Sequence, residues 1–145
     1  MKTVAAAVSI AALVALAGCG GHGQYTKEGM TAAQARQQQF KSAQVYDMSR
    51  QAFLAGDLDK ALKHIDRCVQ MNPSVAKSQV LRGRILSERG DLEHAVEAFL
   101  QAEALDPKNV EAQYYLGIVY ERFTQKDKAL ERYLKAAELG TTDPQ

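Results

Sequence analysis

Residues 76–109, AKSQVLRGRILSERGDLEHAVEAFLQAEALDPKN, contain two amphipathic segments separated by a short turn. Apolar side chains recur at helical spacing on both sides of Gly90 and Asp91. A glycine can adopt the left-handed conformation that ends a helix, and an aspartate after it can cap the next helix by accepting free backbone N–H groups. Pro107 ends the second segment, because the residue before a proline disfavours the helical conformation. The stretch therefore predicts a helical hairpin.

The same pattern occurs three times with a period of 34 residues, in segments 42–75, 76–109 and 110–143. Equivalent positions carry the same residue type in Gly56 and Gly90, in Pro73 and Pro107, and in Ala61, Ala95 and Ala129. Such self-similarity is typical of stacked repeats, in which each unit buries its apolar face against its neighbours. The three segments are therefore predicted to form one array.

The period and the order of small and large residues resemble the tetratricopeptide repeat, a helix–turn–helix unit of 34 residues. The second segment carries the pattern most completely, at Gly83, Ala95, Phe99, Ala102 and Pro107. The resemblance implies an all-α fold, an α-solenoid of three tetratricopeptide-type repeats within residues 32–143. Residues 144–145 would form a short tail.

Two of the repeats depart from the pattern, and the first helix is predicted to be extended. Ser49 takes the place of the helix-packing glycine in the first repeat, and Thr124 and Thr141 replace glycine and proline in the third. From Thr31 to Ala55 the sequence has neither glycine nor proline. We therefore expect the first helix to begin near Ala32, with Thr31 as its cap, and to extend several turns beyond the repeat proper.

The third repeat is followed by no recognisable capping helix, and uncapped repeat arrays expose core-type side chains. The side chains expected to be partly uncovered are Leu116, Val119, Leu130 and Leu134. This end of the array is a candidate surface for a homodimer or for partner binding.

The N-terminal stretch ALVALAGCGGHG, residues 12–23, is typical of an export signal. The apolar run 4–17 follows Lys2 and has 14 residues, which suits a secretory signal and is too short for a transmembrane helix of about 20 residues. Leu16, Ala17, Gly18 and Cys19 resemble the bacterial lipobox. The resemblance implies that residues 1–18 are removed and that the Cys19 thiol and α-amine are acylated, which gives stable membrane anchoring.

Residues 19–31 are rich in glycine and are predicted to be the lipidated N-terminus and a flexible linker. Localisation to the cell membrane or the outer membrane, on the exported side, follows from the lipobox. Gly20, rather than aspartate, after the cysteine resembles the outer-membrane sorting pattern. An ordinary secretory signal with a coincidental cysteine is the alternative.

Family geometry implies that the first helix of each repeat lines a concave groove, so the groove is the candidate partner-binding site. The ten residues assigned to it are Tyr46, Arg50, Phe53, Lys77, Val80, Arg84, Glu111, Tyr114, Ile118 and Glu121. Tyrosine and arginine are common binding anchors, and guanidinium groups suit carboxylates. The carboxylate clamp of chaperone-binding tetratricopeptide domains has asparagine beside lysine, and this sequence lacks that set. Each side chain could instead be merely solvated or packed.

Composition and motifs argue against chemistry in this chain. With 18 basic and 17 acidic side chains, the net charge gives no general attraction to nucleic acid. His22, His64 and His94 have no cysteine or carboxylate at ligand spacing, so no metal or cofactor is expected. Cys68 occupies a small-residue position of the repeat and is expected to be a buried structural thiol. No catalytic residue is assigned.

The sequence thus predicts a membrane-anchored, non-enzymatic scaffold that binds a protein or peptide in the cell envelope. The alternatives are a pilotin-like assembly factor for a secretin or pilus system, and a regulatory subunit of an envelope enzyme.

Overall fold

A computed structural model describes the backbone of residues 22–142 and the side chains of residue 29 and residues 31–141. In this part of the chain six helices follow one another and no strand occurs. They are α1 (His22–Leu54), α2 (Leu58–Met71), α3 (Ala76–Glu88), α4 (Leu92–Leu105), α5 (Val110–Arg122) and α6 (Lys126–Thr142). The predicted signal peptide and the acylation at Cys19 lie outside the described residues.

Helix α1 begins at His22 rather than near Ala32, so the prediction of a flexible linker is wrong for residues 22–31. Gly23 and Gly29 lower the helix propensity of this stretch by about 1 kcal/mol each relative to alanine, but no proline interrupts it. Adding residues to an existing helix costs far less than starting one, so α1 can continue through both glycines. The first helix is therefore extended beyond the repeat, as predicted, but it begins earlier in the sequence than expected.

Helices α2 to α6 and the part of α1 from residue 34 onward belong to one of two compact units of the chain, residues 34–145. Each of the three helix pairs contains a residue in the left-handed conformation at its turn: Gly56 at φ 79°, Gly90 at φ 85° and Thr124 at φ 60°. The predicted turn and cap are confirmed, since the Asp91 carboxylate accepts a hydrogen bond from the His94 backbone N–H. Asp57 caps α2 in the same way through the Lys60 N–H.

Small residues allow the two helices of a pair to approach closely. The ring of Phe99 lies directly against Gly83, and the ring of Tyr133 lies against Gly117. In the first pair Ser49 is fully buried, and its hydroxyl donates a hydrogen bond to the Ala61 carbonyl at 2.8 Å. A small polar side chain can thus replace the glycine because its hydroxyl has a backbone acceptor.

The core is divided into two clusters that follow the order of the repeats. The first cluster joins α1, α2 and α3, and its members are Val45, Ala52, Ala61, Ile65, Cys68, Leu81 and Ile85. The second joins α3, α4 and α5, and its members include Phe99, Ala102, Ala112, Leu116 and Val119. Cys68 is 1% exposed, as predicted, with the Ser42 hydroxyl 3.4 Å from its sulfur.

The third repeat is exposed at α6, and the prediction for its four core-type residues holds for two of them. Leu130 and Leu134 are 59% and 57% exposed. Leu116 and Val119 are buried, because they face α3 and α4 in the second cluster. In the described residues no helix has the length and apolarity needed to span a membrane.

Candidate functional site

The first helices of the three pairs carry a row of cationic and aromatic side chains that contact one another. The ammonium group of Lys77 in α3 lies over the ring of Tyr46 in α1, 4.6 Å from its centroid. The guanidinium carbon of Arg84 lies 5.2 Å from the ring centroid of Phe53 in α1 and 4.9 Å from that of Tyr115 in α5. These cation–π contacts connect α1, α3 and α5 on one surface.

Tyr115 was missed by the sequence analysis, although it holds a central place on this surface. Its ring stacks on that of Phe99, with centroids 5.7 Å apart and an interplanar angle of 11°. In the repeat it is equivalent to Asp47, which is exposed, and to Leu81, which is buried, so the repeat pattern alone does not decide whether this position lies on the surface. The larger tyrosine ring packs on Phe99 and is also close enough to meet Arg84. The sequence signal that could have identified Tyr115 was an aromatic side chain at a position where the second repeat has a leucine.

Charged groups of both signs surround Tyr46, and the pKa of its hydroxyl is raised. Burial is the largest cause, the charge of Glu111 adds to it, and the charges of Arg50 and Arg84 oppose it. These influences require the charged groups of α1, α3 and α5 to be near one phenol. The charges of Arg50, Arg84 and Glu111, three of the predicted groove residues, therefore act on the hydroxyl of a fourth, Tyr46.

A second aromatic group lies at the third repeat. The ring of Tyr114 is 50% exposed, and its centroid is 5.5 Å from that of Tyr115 and 5.8 Å from that of Tyr133. The Tyr133 hydroxyl donates a hydrogen bond to Glu121 at 2.9 Å. Burial, followed by this bond and the Glu121 charge, raises the pKa of Tyr133 to about 12.

An open apolar cavity of about 540 Å³ adjoins the second aromatic group. Its lining consists of Val110, Tyr114, Tyr133, Ala136 and Ala137. With no charged residue in the lining, the cavity can accept an apolar side chain without the cost of desolvating a charge.

One predicted groove residue does not belong to this surface. Val80 is 2% exposed and packs in the second core cluster, so its assignment as a groove residue is wrong. Its equivalents Tyr46 and Tyr114 are larger and reach the surface, whereas the short valine side chain is covered by its neighbours. Ile118 is half-buried, and Arg50, Lys77, Glu111 and Glu121 are exposed. The predicted mixture of charges on this face is present.

The histidines have local roles where their side chains are described. Nδ1 of His94 lies 2.7 Å from the capping carboxylate of Asp91, which raises the pKa of His94 chiefly through this hydrogen bond. His64 is half-buried on α2. Across the described side chains, no group of three or more His, Cys, Asp or Glu residues is placed to hold a metal ion.

Comparison with known proteins supports the repeat assignment. Residues 83–122 match the family model described as TPR repeat. The structure superposes on the TPR domain of Arabidopsis OM64 with a TM-score of 0.68, covering 70% of this chain and 84% of that one at 20% identity. The fold is that of tetratricopeptide repeats. For MamA the TM-score is 0.67 at 21% identity, with 70% of this chain and 59% of that chain covered.

This chain spans only a small part of the length of its sequence relatives. Superkiller complex protein 3 of Mus musculus is 35% identical over 89 residues, 58% of this chain. The match spans 6% of the length of that protein. The similarity therefore concerns a small part of the mouse protein, and the rest of that protein has no counterpart in the match.

Proposed function

We propose that this protein is a membrane-anchored scaffold that binds another polypeptide across α1, α3 and α5, without catalysis by the chain itself. The main support is the contact of Arg84 with both Phe53 and Tyr115, because it makes three successive repeats present one continuous surface. Stacked helical repeats use such surfaces to bind extended partners. Arginine and tyrosine are also the residue types that most often dominate binding energy.

The membrane anchor is proposed from the sequence of residues 16–19. Acylation of Cys19 would hold the repeats near an exported membrane face and would raise the local concentration of any envelope partner. Mass spectrometry of the mature N-terminus tests it directly. The expected product begins at Cys19 and carries acyl chains, whereas an uncleaved or unmodified chain would contradict the proposal.

Groove binding can be tested by capture of crosslinked partners from the native membrane. The test variant replaces Tyr46, Arg50, Arg84 and Tyr114 together by serine or glutamine. A matched control changes Lys63, Arg67, Glu97 and Gln101, which are exposed on the second helices α2 and α4. Loss of the captured partner only in the test variant supports the groove. Equal capture of the partner by both variants would exclude the groove as its binding surface.

Two more specific roles fit the same layout of a lipid anchor followed by a small repeat domain. One is a pilotin-like factor that escorts secretin or pilus subunits, and the other is a regulatory subunit of an envelope enzyme. The identity of the captured protein decides between them: a secretin favours the first role and an enzyme favours the second.

We also propose that the third repeat can mediate self-association. Leu130, Leu134 and the cavity at Tyr114 and Tyr133 leave an apolar surface on α5 and α6. Contiguous exposed apolar groups of this kind commonly mark interaction sites.

A further inference from the structure

The half-buried arginines of the described residues differ in what their guanidinium groups contact. Arg82 donates a hydrogen bond to the Asp66 carboxylate at 2.7 Å. Arg132 donates to Glu103 and to the Gln113 side-chain oxygen, each at 2.9 Å. Arg84 is also half-buried, yet its guanidinium group makes no hydrogen bond or ion pair with the described residues, and it contacts the rings of Phe53 and Tyr115.

Ring contacts hold the Arg84 group in place but do not use its donors. Five N–H groups point outward along the edges of the guanidinium plane, whereas aromatic contacts involve its faces. A partly desolvated cation without an acceptor has unused capacity for a charge-assisted hydrogen bond. Since the rings already restrict the side chain, a ligand would lose little rotamer freedom on binding to it.

The charges around Arg84 favour an anionic ligand at this position. Arg50 is exposed on α1, about one helical turn before Phe53, and the Phe53 ring contacts Arg84. The charges of both arginines also act on the Tyr46 hydroxyl. A third cation, the ammonium group of Lys77, lies over the ring of Tyr46. Glu111 and Asp47 are the nearby groups of opposite sign, and neither makes an ion pair with Arg84, so the three cations outnumber the two carboxylates.

An apolar subsite lies next to this cationic position. The ring of Tyr115 contacts both Arg84 and the ring of Tyr114. The centroids of the two tyrosine rings are 5.5 Å apart. Tyr114 in turn lines the apolar cavity of the third repeat. A bound segment could therefore place an acidic side chain at Arg84 and an apolar side chain at the cavity simultaneously.

We propose that the groove binds a peptide segment in which an aspartate or glutamate side chain meets Arg84 and Arg50 and a nearby aromatic or aliphatic residue enters the Tyr114 cavity. This inference rests on the proposed function, since it specifies the ligand of the same surface. It concerns a side-chain carboxylate within the segment, recognised by arginine, and does not need a free chain end.

The test is selection from a random-peptide phage library on the purified full chain, with the Arg84→Gln variant in parallel. The wild-type protein should enrich peptides with an acidic residue a few positions from an aromatic or large aliphatic residue. R84Q should lose the acidic preference, and a peptide selected on the wild type should bind it roughly 10- to 100-fold more weakly. Arg67→Gln, an exposed arginine on α2, is the charge-matched control and should change nothing.

Each other outcome overturns the inference in a recognisable way. Enriched peptides without acidic residues, whose binding still depends on Tyr114, would leave the groove function intact and exclude the acidic ligand. If the selected peptides bind equally well to every variant with a substituted groove residue, or if no peptide is enriched, both the groove function and the acidic ligand would be excluded. If R84Q lowers the unfolding midpoint but binds the selected acidic peptide like wild type, Arg84 only joins the helices. Circular dichroism of R84Q and Arg84→Lys verifies that the compared proteins are folded.

Discussion

A Cβ atom added to Gly83 would lie 2.6 Å from Cε1 of Phe99. Phe99 is fully buried between α3, α4 and α5, so its ring has no free space into which to move. The helices α3 and α4 can therefore approach each other closely only because residue 83 lacks a side chain.

Replacing this glycine should destabilise the repeat array. We expect Gly83→Ala to lower the free energy of unfolding by about 1–3 kcal/mol, because overpacking forces the surrounding structure to shift. Gly117→Ala should cost less, since Tyr133 is only half-buried and its ring can move outward. Gly140→Ala, with no atom within 4 Å of the added Cβ, is the control and should be neutral or stabilising. Urea unfolding measures all three, and an unchanged midpoint for G83A would contradict the prediction.

The turn of the third pair should be improved by glycine. Thr124 adopts φ 60° at the position that Gly56 and Gly90 occupy in the other pairs. A β-branched residue is strained in this region by about 1–2 kcal/mol, and part of the gain is lost to the greater chain entropy of glycine in the unfolded state. We expect Thr124→Gly to stabilise the protein by about 1 kcal/mol and Gly90→Thr to destabilise it, as measured by thermal unfolding. A lower melting temperature for T124G would show that the turn is not strained.

A charged network between α4, α5 and α6 should make stability depend on pH. Burial raises the pKa of Glu103, but the hydrogen bond from Lys135, the nearby Gln113 side chain and the charges of Arg132 and Lys135 outweigh it, so the pKa lies below its ordinary value of 4.5. A lowered carboxyl pKa stabilises the fold above the unfolded pKa, and this contribution is lost as the pH falls through the folded value.

Glu103→Gln is therefore expected to cost about 1–2 kcal/mol of unfolding free energy at neutral pH. The difference from wild type should shrink as the pH falls below 4.5, the ordinary value for this group. Glu97→Gln, an exposed position on the same helix, provides the control and should show little effect at any pH. Denaturant titrations over a pH series give the comparison, and a difference that stays constant down to acid pH would exclude the charge network as its source.

Self-association through the third repeat should depend on its exposed leucines. We expect the protein to show concentration-dependent dimers by light scattering, because Leu130 and Leu134 offer apolar area that a second copy can bury. The double variant Leu130→Lys, Leu134→Lys should remain monomeric over the same concentrations. Leu105→Lys, at another exposed leucine, should behave as wild type. A monomeric wild-type protein at all concentrations would refute the proposal.

The sequence alone determined the parts of the structure that depend on local spacing. The 34-residue period identified the three helix pairs, because helix periodicity and turn chemistry act over only a few residues. Gly90 and Asp91 end one helix and begin the next by their own backbone and side-chain preferences. The burial of Cys68 also followed from its repeat position, since equivalent positions face equivalent neighbours.

Only the tertiary structure decided which residues of the candidate groove reach the surface. Tyr46, Val80 and Tyr114 share one repeat position, yet the first is half-buried, the second buried and the third exposed. Likewise, nothing in the local sequence of Arg84 places it between Phe53 and Tyr115, which come from the preceding and the following repeat. Exposure and ring contacts depend on the size of side chains brought from distant parts of the chain, and local periodicity carries no information about that packing.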